Sequence, residues 1–250
     1  MNFTSIDNKG LVEGFCLIKT IDRKTSSKGD SYLDMTLGDS DGEINAKLWR
    51  YVPELHGEFE ANQIVKVRGL IQEYNSSDQL RIERIRHTCD EDNVKPENFV
   101  KSADYSGEAM FNELLSLANS FKDSDLKAIV TAILNDNRQR ILYWPAAFKL
   151  HHAVRGGLLL HTLSIVRLAQ SVCKIYTFVD EELLISGAIL HDIAKLQEYT
   201  VADSGIATGY SIEGNLLGHL TMGAISIILT TYSCHPELLK LHIKNNKYAQ

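Results

Sequence analysis

Through the first ninety residues the apolar positions fall at every second place. The segments GFCLIKTID, SYLDMTL, EINAKLW, QIVKVRGLIQEY and QLRIERIRH read as strands, set apart by the turn-forming pieces KTSSKGD, GDSDG and NSSD. In EINAKLW, Ile44, Ala46 and Leu48 alternate with Asn45, Lys47 and Trp49, the pattern of a strand with one buried face. From about residue 105 the period lengthens. Phe111, Leu114, Leu115, Ala118 and Phe121 share one helical face, and Leu126, Ile129, Val130, Ile133 and Leu134 repeat it after Ser124, the expected cap of that second helix. The intervening CDEDNVKPENFV is polar, aperiodic and contains Pro96, so it reads as a linker.

Five short strands in so small a span predict a closed five-stranded barrel of the OB-fold kind. The chain is therefore expected to be multidomain, β then α: an OB barrel over 1–92, a linker and connecting helices over 93–145, and an all-α domain over 146–250. With 250 residues, 44% hydrophobic and 23% charged, there is material for two cores. A net charge of -6 and a pI near 5.8 repel polyanions, so nucleic-acid contact would need a local basic patch. Cys16, Cys89, Cys173 and Cys234 form no Cys-x-x-Cys pair, which argues against a zinc ribbon or dithiol site and for reduced thiols. The start MNFTSIDNKG lacks a signal-peptide pattern and no uninterrupted apolar run reaches bilayer length; a cytoplasmic protein with no membrane partner is expected.

Three histidines sit in apolar helical text. In SGAILHDIAKLQEY, expected as one helix starting near Asp180 with Glu181 and Glu182 in its first turn, Leu184, Gly187, Ala188 and His191 fall on one face, with Asp192 about 100° further round. In GLLLHTLSIVRLAQSV, His161 is in register with Ile165, Leu168, Ala169 and Val172; GNLLGHLTMGAISIIL carries His219. A single such histidine is by default a hydrogen-bonded core residue. Three beside a buried carboxylate point to a divalent cation, because an unpaired buried carboxylate costs several kcal/mol, on the order of what coordination removes. Mixed nitrogen and oxygen donors suit Mn, Fe or Zn better than Ca or Mg.

The order His161, then His191-Asp192, then Lys195 resembles the HD superfamily of metal-dependent phosphohydrolases. More narrowly, WPAAFKLHHAVRGGLLLHTLSIVRLA, ISGAILHDIAKLQEY and YSIEGNLLGHLTMG behind an OB barrel resemble the YhaM-type 3′-5′ exoribonucleases of Gram-positive bacteria, over nearly the whole chain to about residue 230. The resemblance implies an HD-type helical domain and a Mn-dependent enzyme removing nucleotides from the 3′ end of single-stranded RNA or DNA. It implies His161, His191 and Asp192 as metal ligands, and His219 as a further ligand or a residue near the phosphate. Lys195, about one turn past His191, would neutralise charge on the phosphoryl oxygens, the alternative being a solvated lysine near a helix end. Arg155, beside Gly156 and Gly157, is a candidate phosphate contact. His151 and His152 are substrate contacts or loop residues packing on the helix start.

For the barrel, Tyr32, Trp49, Tyr51 and Tyr74 are candidate base-stacking platforms, with Lys47, Lys66, Arg68, Arg81, Arg84 and Arg86 as nearby cations. Any one of these aromatics alone is equally a ring packed under a loop. HD-type sites draw a last aspartate from a later helix, yet the last aspartate here is Asp203, and only His235 and His242 follow His219. A chain truncated at its C-terminus is expected from this, with weakened metal binding, impaired activity and exposed apolar helix surface. Three functions compete: the exonuclease, a single-strand-binding protein whose HD site is vestigial, and a hydrolase of free nucleotides.

Overall fold

The computed structural model describes residues 10–39, 42–148 and 153–238. Its compact units are two, one holding the described residues up to Ser102 together with Ala202–Ile206, the other holding the rest.

In the first unit the alternating segments form β1 (Leu11–Thr25), β2 (Ser31–Gly38), β3 (Glu43–Trp49), β4 (Ile64–Tyr74) and β5 (Ser77–His87), with a single helical turn, α1 (Pro53–His56), between β3 and β4. They close in the order β1-β2-β3-β5-β4, every pair antiparallel except the short parallel β3–β5 contact that seals the barrel. This is the OB fold expected from the strand count, closed by a ladder of only Asn45–Lys47 against Gln79–Arg81. Ile44, Ala46 and Leu48 face inward with Ile18, Met35, Leu37, Val65, Val67 and Leu80, so the alternation was a true guide to the core. Tyr51 corrects the expectation of an exposed platform. It is 6% exposed and its hydroxyl donates to the Gly57 carbonyl at 2.8 Å, which makes it a core residue with a satisfied polar tip.

The second unit contains α2 (Gly107–Asn119), α3 (Ser124–Asp136), α4 (Arg138–Ile141), α5 (Gly157–Ile175), α6 (Glu181–Leu190), α7 (Lys195–Glu198), the hairpin β6 (Tyr199–Val201) and β7 (Ala207–Tyr210), and α8 (Ile212–Cys234). Phe111, Leu114, Ile133 and Leu134 share one core with Leu158, Leu159, Val166, Ile185 and Ile189. The helices within the stretch 93–145 expected as linker and connecting elements share this core, with Met110, Phe111, Leu114, Val130, Ile133 and Leu134 buried in it. Asp123, not Ser124, caps α3, accepting from Asp125 and Leu126 N–H at 2.9 Å each; Ser124 is the first helical residue. Asp180 caps α6 as anticipated, and Glu182 in its first turn accepts from the backbone of Lys122 and Asp123.

Two expectations about helices need correction. The core face of α5 is Leu158, Leu159, Thr162, Leu163, Val166 and Ala169, while Leu168 is 61% exposed, so His161 lies at the edge of that face and not within it. Apolar residues surround much of α5, and period alone does not choose among its faces. Second, α5 and α8 are each long and apolar enough to cross a membrane by length and composition, which counting uninterrupted runs missed. One side of α5 fills the core. On α8 only Gly214, Met222 and Gly223 are buried, and Leu216, Leu220, Ile228 and Leu229 face outward. Cys16, Cys89, Cys173 and Cys234 form no disulfide with one another, and Cys16 is buried.

Candidate functional site

The helix expected to run through His191 and Asp192 ends at Leu190. His191 N–H still reaches Gly187, after which Ile193, Lys195 and Leu196 each bond back three residues, a tightened turn that leads into α7. This turn separates the pair: the Asp192 side chain is 7% exposed and that of His191 is 36% exposed. His191 is thus partly open to solvent, contrary to the inward placement its period suggested. Two side chains from the segment around α4 hold the turn. Trp144 Nε1 donates to the Lys195 carbonyl at 2.9 Å, and Arg140, stacked over the Trp144 ring, donates to the Leu196 carbonyl.

On this turn the predicted residues converge. His161 Nε2 lies 3.3 Å from His191 Nε2 and 3.3 Å from Asp192 Oδ2, and His191 Nε2 is 3.3 Å from the same oxygen. Lys195 Nζ donates to Asp192 Oδ2 at 2.8 Å and is largely buried, so it is no solvated helix-end lysine. His219 brings Nε2 to 3.4 Å from Asp192 Oδ1. Burial alone would raise the Asp192 pKa, but His191 and Lys195 hold it well below the usual carboxylate range; the hydrogen bond to Asp192 raises that of His191.

Glu198 completes the group, and sequence reading did not single it out. It is 6% exposed, and its Oε1 accepts both the His219 backbone N–H at 3.1 Å and the His219 Nδ1 proton at 2.9 Å. The backbone bond exists because Gly218, at φ 69° and ψ 160°, breaks α8 one residue earlier and turns that N–H away from the helix ladder. Burial and then the Glu198 carboxylate push the adjacent Tyr199 phenol well above its ordinary range.

The proton count shows what fits among these donors. His191 Nδ1 is 2.9 Å from the Ala188 carbonyl and His219 Nδ1 is committed to Glu198, so in the neutral rings both Nε2 atoms are bare acceptors. Both face carboxylate oxygens of Asp192. Acceptor against acceptor at this range is repulsive unless a proton or a cation lies between. Donor separations of 3.3 Å match those around a metal with bonds of about 2.0–2.2 Å. His161, His191 and Asp192 can therefore hold a metal ion.

The remaining predicted residues fall in separate places. Arg155 lies over the Tyr143 ring, 5.1 Å from its centroid. His151, His152 and His242 lie outside the described residues. On the barrel, Tyr32 and Trp49 are cross-strand partners with rings stacked at 4.5 Å, and Lys47 Nζ lies 5.4, 5.5 and 5.7 Å from the Tyr32, Trp49 and Tyr74 rings. Trp49 and Tyr74 are 39% and 56% exposed, so this is an open aromatic face with a cation in its middle. Lys66 and Arg68 are not part of it; they line a groove with Glu13, Glu83, Arg84 and Arg86.

Comparison with known proteins locates similar chains. A protein named 3′-5′ exoribonuclease YhaM from Shouchella clausii (strain KSM-K16) is 36% identical over 211 residues, 84% of this chain and 65% of that protein. One of the same name from Listeria monocytogenes serotype 4b (strain CLIP80459) is 35% identical over 84% of this chain and 66% of its own length. The chain thus spans about 65% of the length of these relatives. A family described as "Putative helicase" matches residues 107–195, the helical stretch holding His161, His191, Asp192 and Lys195. None of the 16 glycines precedes a lysine, so this chain carries no phosphate-loop signature of a nucleotide-driven motor. Among solved structures, the second OB-fold domain of replication protein A from Methanococcus maripaludis covers 35% of this chain and 94% of its own, at 16% identity and a TM-score of 0.28.

Proposed function

From the premise that this chain is a homologue of the 3′-5′ exoribonucleases named YhaM, we propose that it is a metal-dependent 3′-5′ exonuclease of the HD type acting on single-stranded RNA, with single-stranded DNA as a second substrate. The observation that carries the reading is the convergence of His161 Nε2, His191 Nε2 and Asp192 Oδ2 within 3.3 Å of one another beside a buried lysine.

A divalent cation at these donors, Mn by the likeness to the family, supplies the Lewis acidity that phosphodiester hydrolysis needs. Asp192 contributes the anionic donor, kept ionised by His191 and Lys195. His219, fixed by Glu198 with Nε2 toward Asp192, offers a fourth donor atom, a third nitrogen, either as a ligand or toward a phosphoryl oxygen. Lys195 Nζ neutralises charge gathering on the non-bridging oxygens as water adds to phosphorus. The P–O3′ bond breaks, a nucleoside 5′-monophosphate leaves and the shortened strand keeps a 3′ hydroxyl. The Tyr32, Trp49, Tyr74 and Lys47 face grips bases by stacking, and Arg155 is a candidate phosphate contact.

The test uses strands labelled at either end, with Mn and with chelator, on this chain and on Asp192→Asn. Stepwise loss from the 3′ end that needs metal and disappears in the variant is expected. Metal-independent cleavage, or cleavage by Asp192→Asn at the unaltered rate, overturns the proposal. One observation favours a second reading, a single-strand-binding protein: the stacked Tyr32–Trp49 face is complete on the barrel alone. A gel shift with no cleavage at any metal concentration selects it.

A further inference from the structure

The groove that took Lys66 and Arg68 away from the aromatic face has a volume of about 430 Å³ and lies on the β4–β5 wall of the barrel. Its lining includes four cations, Lys66, Arg68, Arg84 and Arg86, and two carboxylates, Glu13 and Glu83. The cations are not equivalent. Lys66 is bound to Glu13 at 3.1 Å, and Arg86 makes a two-pronged pair with Asp92, 2.7 Å on each arm. Arg68 and Arg84 make no direct hydrogen bond or ion pair among the described residues; they stand directly opposite each other across the β4–β5 ladder, and Glu13, opposite Arg68 on the β1 side, is the carboxylate whose charge both feel.

Like charges at opposed positions destabilise a sheet, so an arrangement that creates such a pair needs a reason. The ladder is built to create it. Between Arg68 and Gly69 the register shifts: Arg68 pairs with Arg84 and Gly69 with Ile82, leaving Glu83 as the extra residue of a bulge. A bulge re-aims side chains, and here Glu83 and Arg84 in succession both turn outward to the groove. Gly69 permits it, since a Cβ there would stand 2.3 Å from the Arg81 carbonyl oxygen. The same strand leads back to the aromatic face. Arg81, exposed on β5, is the register partner of Lys47, and three residues of strand, roughly 10 Å, separate it from Arg84.

We infer that Arg68 and Arg84 form a phosphate clamp, and that Arg81 and Arg84 along β5 carry the sugar–phosphate backbone of a single strand from the Tyr32–Trp49 face into this groove. Two guanidinium groups match the oxygens of one phosphate, and a bound phosphate joins Glu13 in offsetting the like charge of the pair. The inference rests on the barrel being a single-strand grip, as proposed above. It adds a second contact region, so the strand length read by the barrel exceeds what the stacked rings cover.

The test measures binding of single-stranded oligomers of about 4 and about 12 nucleotides to the full chain in chelator, over a range of salt. The variants are Trp49→Ala and the double change Arg68→Gln with Arg84→Gln, which keeps side-chain length. Trp49→Ala is expected to weaken both oligomers. The double variant is expected to bind the short oligomer within about twofold of the parent and the long one about tenfold more weakly, with its salt slope smaller by about 1.4, two contacts at about 0.7 each. If the double variant matches the parent on the long oligomer at every salt while Trp49→Ala fails, the clamp is wrong and the single-strand grip stands. If the parent binds neither oligomer, both fall. If inorganic phosphate binds in a manner that needs Arg68 and Arg84 but strand binding does not, the groove is a small-anion site and the strand path is overturned.

Discussion

Glu198 sits 21 positions before the histidine it orients, and one carboxylate oxygen takes both the ring proton and the backbone proton of His219. Such an outer residue sets which nitrogen faces the metal, and losing it lowers metal affinity by about 10–100-fold. Glu198→Ala should show that loss in a Mn titration followed by calorimetry. Glu198→Gln, whose amide oxygen still accepts both protons, should recover most of it; equal losses in the two variants would mean that Glu198 acts only through packing. His161, His191 and Asp192 stood out in the sequence because imidazole and carboxylate are rare in apolar helical text; Lys195 was singled out by the resemblance of that order to the HD pattern. Glu198 was not, because a glutamate in LQEY reads as a solvated charge until the fold brings α8 over it. Nor was the exposure of His191, which depends on the turn after Leu190, where no Gly or Pro marks a break.

Among the elements, the barrel strands were the most legible: period two identifies both their existence and their inward face, and all five appear with ends within a few residues of those expected. Helix faces were less so where apolar residues run all round, as on α5. The clearest energetic contrast lies between α5 and α8. Leu159 is fully buried, and Leu159→Ala should cost about 2–5 kcal/mol in denaturant unfolding. Leu216 and Leu220 are 78% and 71% exposed, and changing either to Gln should cost no more than about 0.5 kcal/mol. Comparable costs at the two sites would show that the α8 face is covered in solution. Gly214 is where α8 meets α7; a Cβ there would stand 2.3 Å from the Glu198 carbonyl oxygen. Gly214→Ala should destabilise by about 1–3 kcal/mol and weaken metal binding too, since the contact it disturbs is the one that delivers His219 to Glu198. At the end of β5, the two-pronged bond from Arg86, then the Cys89 N–H, hold the Asp92 carboxyl far below its ordinary range. A depressed carboxylate stabilises the fold above its unfolded pKa of about 3.9 and loses that contribution as pH falls toward the folded value. The unfolding midpoint of the parent should therefore fall more steeply than that of Asp92→Asn below about pH 4. Parallel acid limbs would remove Asp92 from the account.

Among the described residues one large hydrophobic core fills the barrel and another lies among the helices, beside a small cluster of Leu17, Phe99 and Val100. Length and composition allowed one large domain or two; the polar run before Pro96 marks where strands stop, whereas the helical core begins at the first apolar face of α2. The net charge of -6 bears on the proposed strand binding: bulk electrostatics oppose a polyanion, so the proposal rests on Lys47 and the β5 arginines locally and predicts binding that weakens steeply with salt. The three donors lie on the helical unit, so a metal bound there is expected to act first on the elements that carry them. A cation bound only by the folded His161–His191–Asp192 group stabilises what must open for those donors to part, by about 2.7 kcal/mol at a hundredfold excess over its Kd. Amide exchange in α5 and α6 should then slow by up to about 100-fold with saturating Mn, while β1 to β5 exchange as before, and Asp192→Asn should abolish the difference. Uniform slowing across both cores would mean that Mn acts by diffuse binding to an acidic chain. No slowing in α5 and α6 would mean that these donors hold no metal, and the hydrolytic reading would fall with it.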